Sequence, residues 1–201
     1  MKTRLIVATG NAGKLREIGA IFGDFPLQLL TMKDFWNPLP AIEESGSTFA
    51  ENAGIKADWV FKRTGLWSLG DDSGLSVDAL GGAPGIRSAR FAGDQSDMEE
   101  NKRKLLDELA GVPPSRRTAR FVCAMALRID AETLLETEGI CEGTIIDTPR
   151  GSGGFGYDPL FVPGGSDRTF AELGGSEKHA ISHRGRALRN LKERLREYIA
   201  C

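Results

Sequence analysis

The chain opens on an unbroken apolar run, Leu5-Ile6-Val7-Ala8, of strand length. After it, Leu15, Ile18, Ile21 and Phe22 recur at the three-to-four-residue spacing of one helix face. Leu27 to Thr31 reads as a second strand, followed by a loop with Pro38, Pro40 and the acidic pair Glu43-Glu44. Thr48 to Arg63 predicts a helix with Phe49, Ala53, Ala57 and Val60 on one side, ended by Gly65. Leu66 to Leu69 predicts a buried strand that stops at Gly70-Asp71-Asp72-Ser73-Gly74. Leu75 to Leu80 is then a separate strand candidate before a glycine-rich loop through Gly85.

Ser96 with Glu99 has the spacing of a capping box for a helix carrying Leu105, Leu106 and Leu109. Two long strands follow, Thr118 to Ile129 and Thr133 to Asp147. In the first, Ala119, Phe121, Cys123, Met125 and Leu127 alternate onto one face. Leu160 to Val162 is a short strand, and one closing helix carries Ile181, Leu188, Leu191, Leu195 and Ile199. Early alternation of strands and helices with long strands in the middle predicts an α/β fold with a mixed sheet. Residues 1–201 are expected to form a single domain of two lobes, with a cleft between them as the place for a ligand.

Charge narrows the function classes. Lys and Arg number 26 against 28 Asp and Glu, so a generalised nucleic-acid coat is excluded and only a local basic groove stays open. Cys123, Cys141 and Cys201 are odd in number and far apart, which implies no disulfide framework. With only His179 and His183 beside them, no zinc motif forms. No apolar run resembles a signal peptide or a membrane span, and a soluble cytoplasmic protein is expected.

Five segments carry candidate chemistry. Thr9-Gly10-Asn11-Ala12-Gly13-Lys14 lies where a strand turns into a helix, so free amides, the helix dipole and a lysine could meet phosphate there. It is a near miss for a P-loop, with Ala8 and Leu15 at the positions of the required glycine and hydroxyl. A plain turn, capped by Asn11 with Lys14 in solvent, is the alternative. Asp71-Asp72 would suit a hard cation or water activation, and alternation along a strand lets only one of the pair enter a site. An acidic turn is the alternative there, and Glu43-Glu44 weighs against it. Lys56 falls on the apolar side of its helix with Asn52 at the edge of the stripe, so it either meets an anion or snorkels. Gly151 to Pro159 contains GxGxxG, but Pro159 forbids the helix a dinucleotide fold needs. Phe155 and Asp158 could instead stack on a base and bond its edge, unless this is an ordinary glycine hairpin. Glu177 to Gly185 brings cations and an imidazole to the start of the last helix. Its later basic members read as a solvated face.

Together these stretches resemble the ITP/XTP pyrophosphatase family. The matching segments are TGNAGK (Thr9–Lys14), EESGSTFAENAGIKA (Glu43–Ala57), DDSGL (Asp71–Leu75), GGAPGI (Gly81–Ile86), GGFGYDP (Gly153–Pro159) and EKHAISHRG (Glu177–Gly185), in family order. No motif position departs from the pattern, and Arg87 and His179 receive no role. The resemblance implies an elongated central sheet flanked by helices, a homodimer, and magnesium-dependent cleavage of ITP, dITP or XTP to the monophosphate and pyrophosphate. It places the triphosphate on Thr9 to Lys14, with Lys56 neutralising its charge. Glu44 would hold Mg2+, with Glu43 as a less certain neighbour. Asp72 would bind metal and act as general base, supported by Asp71, while Ser73 touches substrate. Phe155, Gly156, Tyr157 and Asp158, joined by Lys178, His183 and Arg184, would read the base, with donors favouring a 6-oxo group. Two alternatives stand beside this: a pyrophosphatase for other modified nucleotides, and a non-catalytic nucleotide or nucleic-acid binder using the basic last helix.

Overall fold

The computed structural model describes residues 2–200; Met1, Cys201 and the side chains of Ile199 and Ala200 lie outside what is described. Six strands form one sheet: β1 (Thr3–Val7), β2 (Leu27–Thr31), β3 (Trp67–Val77), β4 (Thr118–Arg128), β5 (Leu134–Ile145) and β6 (Phe161–Pro163), in the order β2-β1-β3-β4-β5-β6. β1 runs parallel to both β2 and β3, while β5 and β6 are antiparallel, so the sheet is mixed as expected. The helices are α1 (Ala12–Phe22), α2 (Phe49–Thr64), α3 (Met98–Glu108), α4 (Gly175–Ile181) and α5 (His183–Ala200). None of the described helices is long and apolar enough to cross a membrane.

The chain divides into two compact units. Among the described residues, the first comprises 2–72, Cys123–Gly139 and 184–200; the second comprises Ser73–Val122 and Ile140–His183. In unit 1 the sheet is covered on both faces. Leu5, Val7, Leu69, Cys123, Met125 and Leu127 pack with Ile18 and Phe22 of α1 and with Leu188, Leu191 and Leu195 of α5. The opposite face sets Ile6 and Ala8 against Val60 of α2, and Ala124 and Ala126 against Ala53 and Ala57. β4 is therefore buried on both sides from Phe121 to Leu127, beyond the one-sided alternation expected. Small residues facing small residues bring α2 close to the sheet.

Unit 2 has its own core. Leu75, Val77, Ala119, Phe121, Cys141, Ile145 and Phe161 pack with Leu105 and Leu109 of α3, and with Tyr157, Leu160 and Phe170.

Three local expectations are corrected. β3 does not stop at Gly70 but continues through Gly70-Asp71-Asp72-Ser73-Gly74 to Val77, joining the two strands expected there. The composition is that of a turn, yet these residues are held inside a sheet, and tertiary context overrides propensity. The cap of α3 is Asp97, whose side chain accepts from Glu100 N while Glu100 reaches back; Ser96 instead bonds Gly93 O and Asn101. The closing helix is two helices: Ser182 is extended (φ −67°, ψ 156°), and Ile181 joins the core of unit 2 while Leu188, Leu191 and Leu195 join that of unit 1.

α2 begins with the Thr48/Glu51 capping box and ends at Gly65 in the left-handed region (φ 64°). Where it crosses β3, a Cβ on Gly70 would lie 1.9 Å from Ala53 O, a clash with backbone that no rotamer relieves. Gly70→Ala is expected to lose about 1–3 kcal/mol of stability as α2 is pushed outward. A lowered urea midpoint would show this; an unchanged one would mean that α2 is not seated on Gly70.

Candidate active site

Asn11 caps α1, its Oδ1 accepting from Gly13 N at 2.8 Å and Lys14 N at 3.1 Å, and its own N–H donates to Thr9 Oγ1 at 3.1 Å. Two of the amides expected to meet phosphate are thus held by the cap in this state. Lys14 is not in solvent. Its Nζ sits 2.5 Å from Asp71 Oδ1 and 3.3 Å from Asp71 O. Gly10 and Ala12 are exposed and Thr9 half-buried; a Cβ on Gly10 would come within 3.2 Å of Leu39 Cδ1.

Asp71 and Asp72 point to opposite faces of β3, as the strand period requires. Asp71 also receives Nε of Arg184 on Oδ2 at 2.7 Å and Nη2 on Oδ1 at 3.5 Å, while Arg184 Nη1 reaches Glu17 Oε2 at 2.5 Å. Lys14, Asp71, Arg184 and Glu17 form an alternating chain of buried or nearly buried charges. Burial alone would raise the Asp71 carboxyl. The charges of Arg184 and Lys14 and their hydrogen bonds outweigh it, and Asp71 lies far below the usual carboxylate range. Cys123 Sγ lies 3.6 Å from Asp71 Oδ2, and burial first, then that carboxylate, pushes the thiol up, so it packs rather than reacts.

Asp72 faces α2. Its Oδ1 is 3.1 Å from Lys56 Nζ and its Oδ2 accepts from Asn52 Nδ2 at 3.2 Å. Lys56 is buried and its ammonium also lies 3.2 Å from Glu44 Oε2, so it meets an anion rather than snorkelling to water. The acidic loop is tied to the same helix by Gly46 N, which donates to Asn52 Oδ1 at 2.9 Å. Its approach is anchored by Trp36 edge-on to Trp59 and by Leu39 and Ile42 against the Met32–Val60 core. Glu43 is exposed, and Glu44 is the member of the pair that reaches the site. Burial holds the Asp72 carboxyl above its ordinary value; Lys56 and Lys14 pull it down, and Glu44 pushes it up.

In unit 2, Asp158 is buried and its Oδ2 accepts from Phe155 N at 2.8 Å and Lys178 Nζ at 2.7 Å. Lys178 Nζ lies 5.0 Å from the Phe155 ring centre and 5.5 Å from that of Phe170. Gly154 has φ +72°, and a Cβ there would fall 2.1 Å from Asp158 Oδ2, so the loop closes on its aspartate only with glycine. Tyr157 is buried, its OH donating to Ser88 O at 2.9 Å, and burial raises its pKa. Ser88 Oγ in turn accepts from Leu75 N and donates to Gly85 O, which ties the GGAPGI segment to β3. His183 stacks on Phe121 at 4.7 Å and 11°. Ser73 is half-buried on β3, and Gly156 is half-buried in the loop.

The structure therefore pairs Lys14 with Asp71 on one face of β3, gathers Glu44 and Asp72 about Lys56 on the other, and brings Phe155, Asp158 and Lys178 into a further contact set. Arg184, expected beside a base, spends three guanidinium nitrogens on Asp71 and Glu17. Glu17 was not anticipated. Its one sequence signal is its place three residues after Lys14, on the same helix face. Arg186, Arg189, Arg194 and Arg196 are exposed, as expected for the later basic run, and Lys192 bonds Asp24 and Ile21 O.

Residues 5–194 match the Ham1 family. The chain belongs to the Ham1 family. Among its relatives, the dITP/XTP pyrophosphatase of Geobacter sulfurreducens is 51% identical over 96% of this chain and 96% of its own length. That of Geobacillus kaustophilus is 47% identical over 97% and 95%. The solved structure of a HAM1 protein from Coxiella burnetii superposes with a TM-score of 0.88 at 43% identity, covering 97% of this chain and 99% of that one. The resemblance read from the six motifs is thus borne out, and the mixed-sheet α/β fold is that of Ham1 structures.

In this Ham1 chain Asp71 links Lys14 of α1 to Arg184 of the last helix. Its depressed pKa means that its stabilisation is complete above about pH 4 and drains away as pH falls below that. Asp71→Asn is expected to cost about 3 kcal/mol at pH 7 by stranding buried cations. The gap to wild type should narrow as the pH is lowered below about 4. Urea unfolding at several pH values checks both; a gap that widens with acid would contradict the assignment.

Proposed function

We propose that this protein hydrolyses deaminated purine nucleoside triphosphates (ITP, dITP and XTP) between the α and β phosphates, releasing the monophosphate and pyrophosphate and clearing these nucleotides from the pool. The observation that carries the reading is the convergence of Glu44 and Asp72 on one buried cationic centre, with a second lysine held nearby on β3. Relatives bearing the name dITP/XTP pyrophosphatase over nearly the full chain support the same activity.

The donor set fits magnesium. Glu44 and Asp72 offer hard oxygen atoms to a single point already occupied by an ammonium at 3.2 and 3.1 Å. Mg2+ commonly takes one or two carboxylates and fills its remaining positions with water and phosphate. When bound, Mg2+ would neutralise phosphate oxygens and polarise the α-phosphorus.

The chain's own groups do the rest. Asp72, its carboxyl raised by burial, takes the proton of the attacking water as the oxygen bonds to the α-phosphorus and the bridge to the β-phosphate breaks. Asn52 fixes its orientation through Oδ2. Lys14 and Lys56 meet the charge growing on the departing pyrophosphate. Asp71, held by Arg184 and Glu17, positions Lys14. Base recognition falls to the Phe155–Asp158 loop with Lys178 and His183. The Phe155 face stacks, and Lys178 donates to a 6-oxo group that adenine lacks. Arg184 acts in this reading by holding Asp71. From the family resemblance the reading extends to a cytoplasmic homodimer.

Pyrophosphate release over a panel of ITP, XTP, GTP, ATP and modified nucleoside triphosphates, with and without Mg2+, tests the proposal. ITP and XTP are expected to lead ATP by at least about 10²-fold, matching a few kcal/mol of discrimination by unpaired polar groups, and to lead GTP. Asp72→Asn is expected to lower turnover at least about 10²-fold while keeping the native circular dichroism spectrum. Preference for GTP, or wild-type turnover in that variant, would overturn it.

A further inference from the structure

The two carboxylates assigned to the divalent ion are already bridged, and the bridge belongs to the protein. Lys56 Nζ lies 3.2 Å from Glu44 Oε2 and 3.1 Å from Asp72 Oδ1, with its side chain only 9% exposed. We infer that Lys56 is a resident counter-cation that holds the metal position until a triphosphate draws it away, so that divalent-ion binding and substrate binding are coupled through one lysine. This rests on the reading that Glu44 and Asp72 are the metal ligands, and adds how that site is kept closed to metal alone.

The argument is electrostatic and steric. Two carboxylates and one ammonium carry a single net negative charge. A divalent ion added beside Lys56 would make that buried centre net positive, with two cations in near contact and water largely excluded. Metal–oxygen bonds of about 2.1 Å are also about 1 Å shorter than the present ammonium contacts, so the carboxylates cannot close on a metal while Nζ stands between them. Lys56 has to leave, and in a buried position it leaves only for another anion. A triphosphate supplies one.

The two jaws differ. Asp72 sits mid-strand with its second oxygen fixed by Asn52, whereas Glu44 is on a loop with its side chain 28% exposed. Glu44 is therefore the jaw that closes. Gly46 N on Asn52 Oδ1 ties the loop that carries Glu44 to α2.

Mn2+ binding without nucleotide, followed by electron paramagnetic resonance, reads the exchange directly. Lys56→Gln and Lys56→Met are expected to bind Mn2+ at least tenfold more tightly than wild type. Lys56→Arg, which keeps the charge, should stay near wild type. Adding Glu44→Gln to Lys56→Gln should abolish the gain. Folded neutral variants that bind Mn2+ no better than wild type, or a gain that survives Glu44→Gln, would overturn the inference. Should neither neutral variant fold, the side-chain NMR resonance of Lys56 in the wild-type protein decides. It should move with Mg2+ plus inorganic tripolyphosphate and stay put with Mg2+ alone; movement with Mg2+ alone would refute the coupling. Tighter Mn2+ binding in a protein that fails to favour ITP or XTP would uphold the exchange while removing the substrate assignment. Preference for ITP or XTP without tighter binding would do the reverse.

Discussion

Two carboxylates side by side in a buried strand do not share one contacting cation, because the strand turns them to opposite faces. Asp71 and Asp72 each require a separate cation, and the surroundings of β3 are arranged to supply them. On one face, Lys14 from α1 and Arg184 from the start of α5 close on Asp71, and Glu17 balances the arginine. On the other, Lys56 from α2 closes on Asp72 and Glu44 balances the lysine. Leaving any one of these charges buried without its partner would cost more than most packing contacts contribute. The network thereby dictates which helices lie over which end of the strand.

In the proposed function the same arrangement makes the chemistry. Lys14, held by Asp71 rather than by water, is positioned before any phosphate would arrive. A carboxylate kept above its usual pKa by burial is a better proton acceptor for water than an ordinary aspartate. Hydrophobic packing and a buried hydrogen bond stabilise the supporting loops: Trp36, Leu39 and Ile42 set the approach to Glu44, and the Tyr157 hydroxyl on Ser88 O holds the Phe155–Asp158 loop. The glycines at 70 and 154 mark where backbone must pass too close for a side chain, beside Ala53 and Asp158 respectively.

Much of this was legible in the sequence. Lys56 announced itself by lying on the apolar side of its own helix, and the opposed directions of Asp71 and Asp72 followed from strand alternation alone. The continuity of β3 was not legible, since Gly-Asp-Asp-Ser-Gly has turn composition and only the cations around it make a strand tolerable. Nor was Arg184's partnership: residues so distant in sequence as Glu17, Asp71 and Arg184 meet through tertiary packing that no local pattern encodes. The split at Ser182 was hidden because apolar spacing runs on through it, although its two sides serve different cores.

The most direct test is a crystal structure with Mn2+ and the α,β-imido analogue of ITP, using the anomalous signal to place the ion. The account predicts manganese bound by Glu44 and Asp72, Lys56 on a phosphate oxygen, and Lys14 still beside Asp71. Lys56 remaining between the two carboxylates, with manganese bound elsewhere, would contradict it.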